Sequence, residues 1–211
     1  MQLGKILKDD QSYSFSSYFE MSYEAEDIFA EFGFRLERVN LEFPRSHEGL
    51  DRVLPALDRR IRRMLPRVSL SSETARREML VAPILMELID LCDAQLRIEY
   101  ALNVNNWLKG NLDYLIRVPK TKQSLLVIEA KRDDLDRGFV QMAVELIALS
   151  KVQEQRYFYG AVTIGEAWSF GMLDPIGNVI YQDIGLFSIR SSEMLADLAA
   201  VLAGILTQRE E

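Results

Sequence analysis

The sequence predicts an α/β fold, more narrowly an α+β arrangement around a mixed sheet. Three observations carry this. The 211 residues are 48% hydrophobic and 27% charged, the composition of an ordinary globular chain long enough for a sizeable core. Helical spacing of apolar residues dominates up to residue 91 and alternation takes over after it. One helical segment, 136–152, interrupts the strand-like runs, as a crossover between strands requires.

The elements follow in order. Residues 13–33 read as two short helices, one with Phe15, Tyr18 and Phe19 on a face and one with Ile28, Phe29 and Phe32, stopped by Gly33. A strand is expected over 34–43, where Leu36, Val39 and Leu41 sit among charges. A helix over 48–65 aligns Leu50, Val53, Leu54, Leu57, Ile61 and Leu65, with Pro55 bending or interrupting it. The next helix starts at Ser71–Ser72, a good N-cap followed by Glu73, and runs to about Leu91. Pro83 lacks an N–H, so a kink is expected near Met79–Pro83. Strands are predicted over 96–102, 110–118 and 124–130, the last two joined by the polar turn PKTKQ. After the helix over 136–152, with Asp136 as its expected N-cap, come strands over 156–164, 168–173 and 178–187, turning at GEA and DPIGN. A clean amphipathic helix closes the chain over 192–207. The expected division is a mainly helical extension over 1–68, packed on a domain over 69–211.

Several function classes are excluded early. One cysteine, Cys92, rules out a disulfide framework or a multi-cysteine metal site. One histidine, His47, in a loop-like stretch, argues against histidine catalysis. No apolar run reaches the ~20 residues of a membrane span, and the first ten residues lack a signal-peptide core, so a cytoplasmic protein is expected. No phosphate loop, nucleophile elbow, helix-turn-helix or zinc finger is visible. A formal net charge of −7 argues against non-specific coating of nucleic acid.

The informative residues lie in GNLDYLIR and LLVIEAKR. Asp113 sits among Leu112, Leu115 and Ile116, where an ionised carboxylate is costly unless paired or bound to a metal. Glu129 and Lys131 end an apolar strand and share a face at period two. The hairpin between these strands can set Asp113 beside Glu129. Two such carboxylates repel, and a hard divalent cation resolves the conflict.

On these residues the chain resembles the PD-(D/E)XK nuclease superfamily, over roughly residues 70–175. The matching pieces are Asp113 in GNLD, Glu129-Ala130-Lys131 after an apolar strand, an acid in SETARREMLVAPIL, and Gln141 in GFVQMAVELIAL. No proline precedes Asp113, a departure from the family pattern. The whole chain also resembles a group of cyanobacterial proteins sharing a YFE…AEFG start and a GNLDYL…VIEAKRDDL…Q core. The superfamily resemblance implies a restriction-endonuclease-like core that hydrolyses a nucleic-acid backbone, DNA first and RNA second, with magnesium or manganese. It implies Glu73, Asp113 and Glu129 as metal ligands, with Glu78 competing for the place of Glu73. Lys131 would position the attacking water, and Gln141 would lie near the scissile phosphate.

Plainer readings stand beside each. Asp113 can cap a turn, Glu129 and Lys131 can form a rim ion pair, and Glu73 can serve the helix dipole. Gln141 lies between Arg137 and Glu145 at i,i+4 spacing, the pattern of a solvated stripe. His47, Cys92, Trp107 and Trp168 read as structural. Between Arg52 and Arg77 eight arginines face only Asp58 and Glu73, a local balance of +6. Arg59, Arg60, Arg62, Arg63, Arg76 and Arg77 are therefore candidates for phosphate contact, against a solvated face paired with nearby acids. The runner-up function is a binding or scaffold protein that keeps the fold without the chemistry, pairing as a homodimer through its N-terminal and final helices.

Overall fold

The computed structural model describes residues 5–120, 124–129 (as backbone) and 134–208. It is a mixed α/β structure in which helices cover both faces of one eight-stranded mixed sheet. The strands are β1 (Arg35–Val39), β2 (Gln95–Asn103), β3 (Lys109–Arg117), β4 (Ser124–Glu129), β5 (Phe158–Thr163), β6 (Ala167–Asp174), β7 (Val179–Asp183) and the short β8 (Phe187–Ser188). Their spatial order is β1-β7-β6-β5-β4-β3-β2, with β8 on β6. β2, β3 and β4 form an antiparallel meander. β4 and β5 are parallel, as are β1 and β7. The strand at 34–43 thus forms as the shorter β1 and is hydrogen-bonded into the sheet by β7.

Two helical layers close the sheet. On one face lie α1 (Phe15–Glu20), α2 (Ala25–Ala30) and α6 (Leu135–Ser150), whose Phe15, Tyr18, Ile28, Phe29 and Phe139 share a core with Leu112 and Leu115 of β3. On the other lie α3 (Leu50–Met64), α5 (Ala82–Cys92) and α7 (Ser192–Thr207), packed on Tyr114, Ile116, Trp168 and Phe170. The helix α6 lies close on the sheet because β5 and β6 present glycines beneath it. A Cβ on Gly160 would meet Met142 Sδ at 2.5 Å, and one on Gly171 would meet Phe139 Cε2 at 2.6 Å.

Three local expectations need correction or refinement. α3 runs through Pro55 without a break. The proline is the sixth residue of the helix, past the unpaired donors of the first turn, so the helix continues at the cost of one i→i−4 hydrogen bond. The kink near Pro83 takes the form of a π-turn. After α4 (Glu73–Arg76), residues Arg77–Val81 bond i to i+5, with Ala82 N–H reaching the Arg77 carbonyl. That extra residue places Pro83 at the start of α5, where a missing N–H costs little. Finally, α6 is capped by Asp134 rather than Asp136. The Asp134 carboxylate accepts from Arg137 N–H at 3.0 Å, and Asp136 lies in the first turn.

Cys92 and Trp168 are buried, consistent with structural roles, and His47 is exposed. Among the described residues, no helix is long and apolar enough to cross a membrane.

Candidate active site

The meander is irregular at one place. Leu112 belongs to the core on the α6 face, whereas Tyr114 belongs to the opposite core. Strict alternation would put both on one face. The same change occurs on β2, where Leu96 packs on one core and Tyr100 and Leu102 on the other. Between them Glu99 has φ +50°, a left-handed backbone unusual for a non-glycine residue. Its ladder neighbours pair as Ile98–Tyr114 and Tyr100–Leu112, which leaves Glu99 and Asp113 facing each other across the break. On the other side, the β3–β4 ladder ends at Tyr114–Val127. Continuing that register sets Asp113 opposite Ile128, one residue before Glu129. Asp113 therefore sits where the alternation of β3 breaks and its ladder with β4 ends, the kind of irregularity that re-aims a side chain in a sheet.

Half-buried Asp113 has charged neighbours above and below. Arg77, in the π-turn, sends both terminal guanidinium nitrogens to Glu99 Oε1 at 3.1 Å. Its guanidinium carbon stands 5.2 Å from the Tyr114 ring centre, with Nε 3.5 Å from the Tyr114 hydroxyl. Burial disfavours the Arg77 charge, but Tyr114, the Asp113 carboxylate and Glu99 outweigh it and push its pKa up. On the α6 face, Gln141 Nε2 donates to Glu145 Oε1 at 2.9 Å. Glu145 is fully buried, and its Oε2 has no hydrogen-bond partner among the described residues. Desolvation, joined by the Asp113 charge, pushes the Glu145 carboxyl well above the usual range, against the opposing hydrogen bond from Gln141.

Asp113 thus lies at the break in the meander with the Arg77 charge acting on it, and its own charge reaches Glu145, the hydrogen-bond partner of Gln141 on α6. The Glu129 backbone ends β4, hydrogen-bonded to β5 in register with Thr163. Lys131 lies outside the described residues, as does the side chain of Glu129. Glu73 and Glu78 are both exposed, and neither contacts Asp113 through any described hydrogen bond or ion pair. Among the described residues no cluster of three or more His, Cys, Asp or Glu side chains forms a ready metal cage. The solvated-stripe reading of Gln141 is overturned, since both Gln141 and Glu145 are buried. Glu145 was the residue missed. A lone acid between Val144 and Leu146 in an apolar helix is the same signal that marks Asp113 in its strand.

The arginine cluster divides. Arg62 pairs with Asp58 at 2.7 Å and donates to the Arg190 carbonyl at 3.1 Å. Arg60 reaches Glu87 at 3.5 Å, and Arg76 donates to the Leu70 carbonyl at 3.1 Å. Arg59 and Arg63 are exposed one helical turn apart on α3. Comparison with models of protein families and with curated proteins gave no match for this chain.

Proposed function

We propose that the protein is a divalent-metal-dependent phosphodiesterase that hydrolyses the DNA backbone from a restriction-endonuclease-like core. The observation that carries this reading is the place of Asp113. The resemblance covers residues 70–175, and that stretch folds as a helix, an antiparallel meander, a crossover helix and a parallel strand. Asp113 stands at the break in the meander, one register step from Glu129 at the end of β4.

The residues fit a hard cation. The Asp113 charge reaches Glu145 and raises its pKa, and one buried Glu145 oxygen has no hydrogen-bond partner among the described residues. Asp113 and Glu129 would hold magnesium or manganese through oxygen. What the cation supplies, when bound, is neutralisation of these acids and stabilisation of charge on the phosphate oxygens. Lys131 is assigned to orienting the attacking water and Gln141 to presenting its amide near the phosphate. Arg59 and Arg63, exposed on α3, are assigned to phosphates of the bound strand.

The test is cleavage of linear, nicked, circular and single-stranded DNA with magnesium or manganese. Wild-type protein is expected to cut at least one form, and Asp113→Asn or Lys131→Ala to cut none. Absence of cleavage on every form overturns the reading, and unchanged cleavage by Lys131→Ala moves the site elsewhere.

A further inference from the structure

We infer that Glu145 of α6, rather than Glu73 of α4, supplies the further carboxylate of the cation site. The inference rests on the metal-dependent reading above and changes which element completes it.

Three observations on the α6 face converge. Glu145 is fully buried, yet one carboxyl oxygen has no hydrogen-bond partner among the described residues. An unsatisfied buried acid costs stability that a purely structural residue has no reason to bear. The other oxygen is fixed by the Gln141 amide at 2.9 Å, so the carboxyl is held in one orientation. Among the described residues, the acid whose charge reaches it is Asp113. A hard cation shared by the two carboxyls would satisfy the orphaned oxygen and remove their repulsion together. Glu73 offers none of this. It is an exposed first-turn acid on a four-residue helix, which the helix dipole alone explains. The Gln141–Glu145 hydrogen bond also sets the Gln141 amide, making Glu145 a positioning residue for that side chain.

The experiment is manganese binding by calorimetry and by electron paramagnetic resonance on the full chain, with thermal melts as a folding control. Wild type, Asp113→Asn, Glu145→Gln and Glu73→Gln are compared. Glu145→Gln is isosteric and can still accept from Gln141. It is expected to weaken manganese at least ~10-fold and to alter the resonance spectrum, as loss of a metal contact does. Glu73→Gln is expected to bind as wild type. If Glu145→Gln melts early, Glu145→Asp serves in its place, since it keeps the charge but shortens the reach and is also expected to weaken manganese. Wild-type affinity in a folded Glu145 variant, a loss confined to Glu73→Gln, or no manganese binding by the wild type overturns the inference. Manganese binding through Glu145 without DNA cleavage overturns the phosphodiesterase reading alone. Cleavage that needs metal but ignores Glu145 overturns the inference alone.

Discussion

The helices α6 and α7 are near twins on opposite faces of the sheet. Each has 16 residues, and each is capped by a side chain accepting from the backbone N–H three residues on, Asp134 in one and Ser191 in the other. Each buries most of its length, Gly138–Leu149 in α6 and Leu198–Leu206 in α7. They differ in what they bury. The long buried run of α7 is wholly apolar, including Leu198, Val201, Leu202 and Ile205, whereas α6 carries Gln141 and Glu145 at the same depth. The architecture therefore does not demand a buried acid, because the opposite layer is built without one. A group that is costly to bury, and that packing does not need, points to chemistry.

This contrast can be broken in stages. The largest effect belongs to Asp113, the acid whose charge reaches Glu145. Asp113→Asn is expected to lower DNA cleavage by more than ~100-fold, beyond the loss seen when only a residue behind a metal ligand is changed, measured as initial rate. On α7, Leu202→Ala opens a cavity in a fully buried position and is expected to cost about 2–5 kcal/mol in denaturant unfolding, with no effect on manganese affinity. On α6, the double change Gln141→Leu with Glu145→Leu removes both partners of the buried hydrogen bond. Metal-free stability should stay within about 1 kcal/mol of wild type or rise, because no polar group is left stranded. Manganese binding should be lost in the same protein. A large loss of stability in the double variant would make the buried pair structural after all.

The smallest effect sharpens the contrast with a second carboxylate. Asp174 is buried too, but its Oδ1 accepts from Arg156 at 2.8 Å, Gly177 N–H at 2.9 Å and Ile176 N–H at 3.0 Å. Burial raises its pKa, but the Gly177 N–H, Arg156 and the Ile176 N–H outweigh that and hold the carboxyl below its ordinary 3.8. Its stabilising contribution is therefore present above pH 3.8 and is lost as the pH falls through the lowered folded-state value. Asp174→Asn is expected to lower Tm at pH 7 by about 2–4 °C, the shift that about 1 kcal/mol produces in a chain of this size. That difference should shrink as melts are repeated at pH 3.5 and below.

Most of the fold was legible because its signals are local. The period-two runs became β2–β7, and the period-3.6 runs became α3 and α5–α7. Ser72 was readable as an N-cap, and it accepts from Ala75 N–H at 3.1 Å. The site was legible only in part. Asp113 announced itself as a charge in an apolar strand. Glu145 carried the same signal in α6, but a stripe at i,i+4 spacing through Arg137, Gln141 and Glu145 looks the same whether it faces water or a sheet. The arginines were similarly ambiguous, since spacing does not tell which of them finds an acid. Arg62 meets Asp58 one turn back on its own helix, whereas Arg77 finds Glu99 only through the packing of distant segments.

By itself the sequence determined the elements, their order and the α/β class, because periodicity and capping depend on neighbours a few residues away. Tertiary structure decided the rest. It spread the Pro83 defect into a π-turn that carries Arg77 over Tyr114. It broke the alternation of β2 and β3 at Glu99 and Asp113, pressed α6 onto two glycines and buried Glu145 completely. Depth of burial is a property of the assembled layers, and it is depth that turns an ordinary glutamate into a candidate ligand.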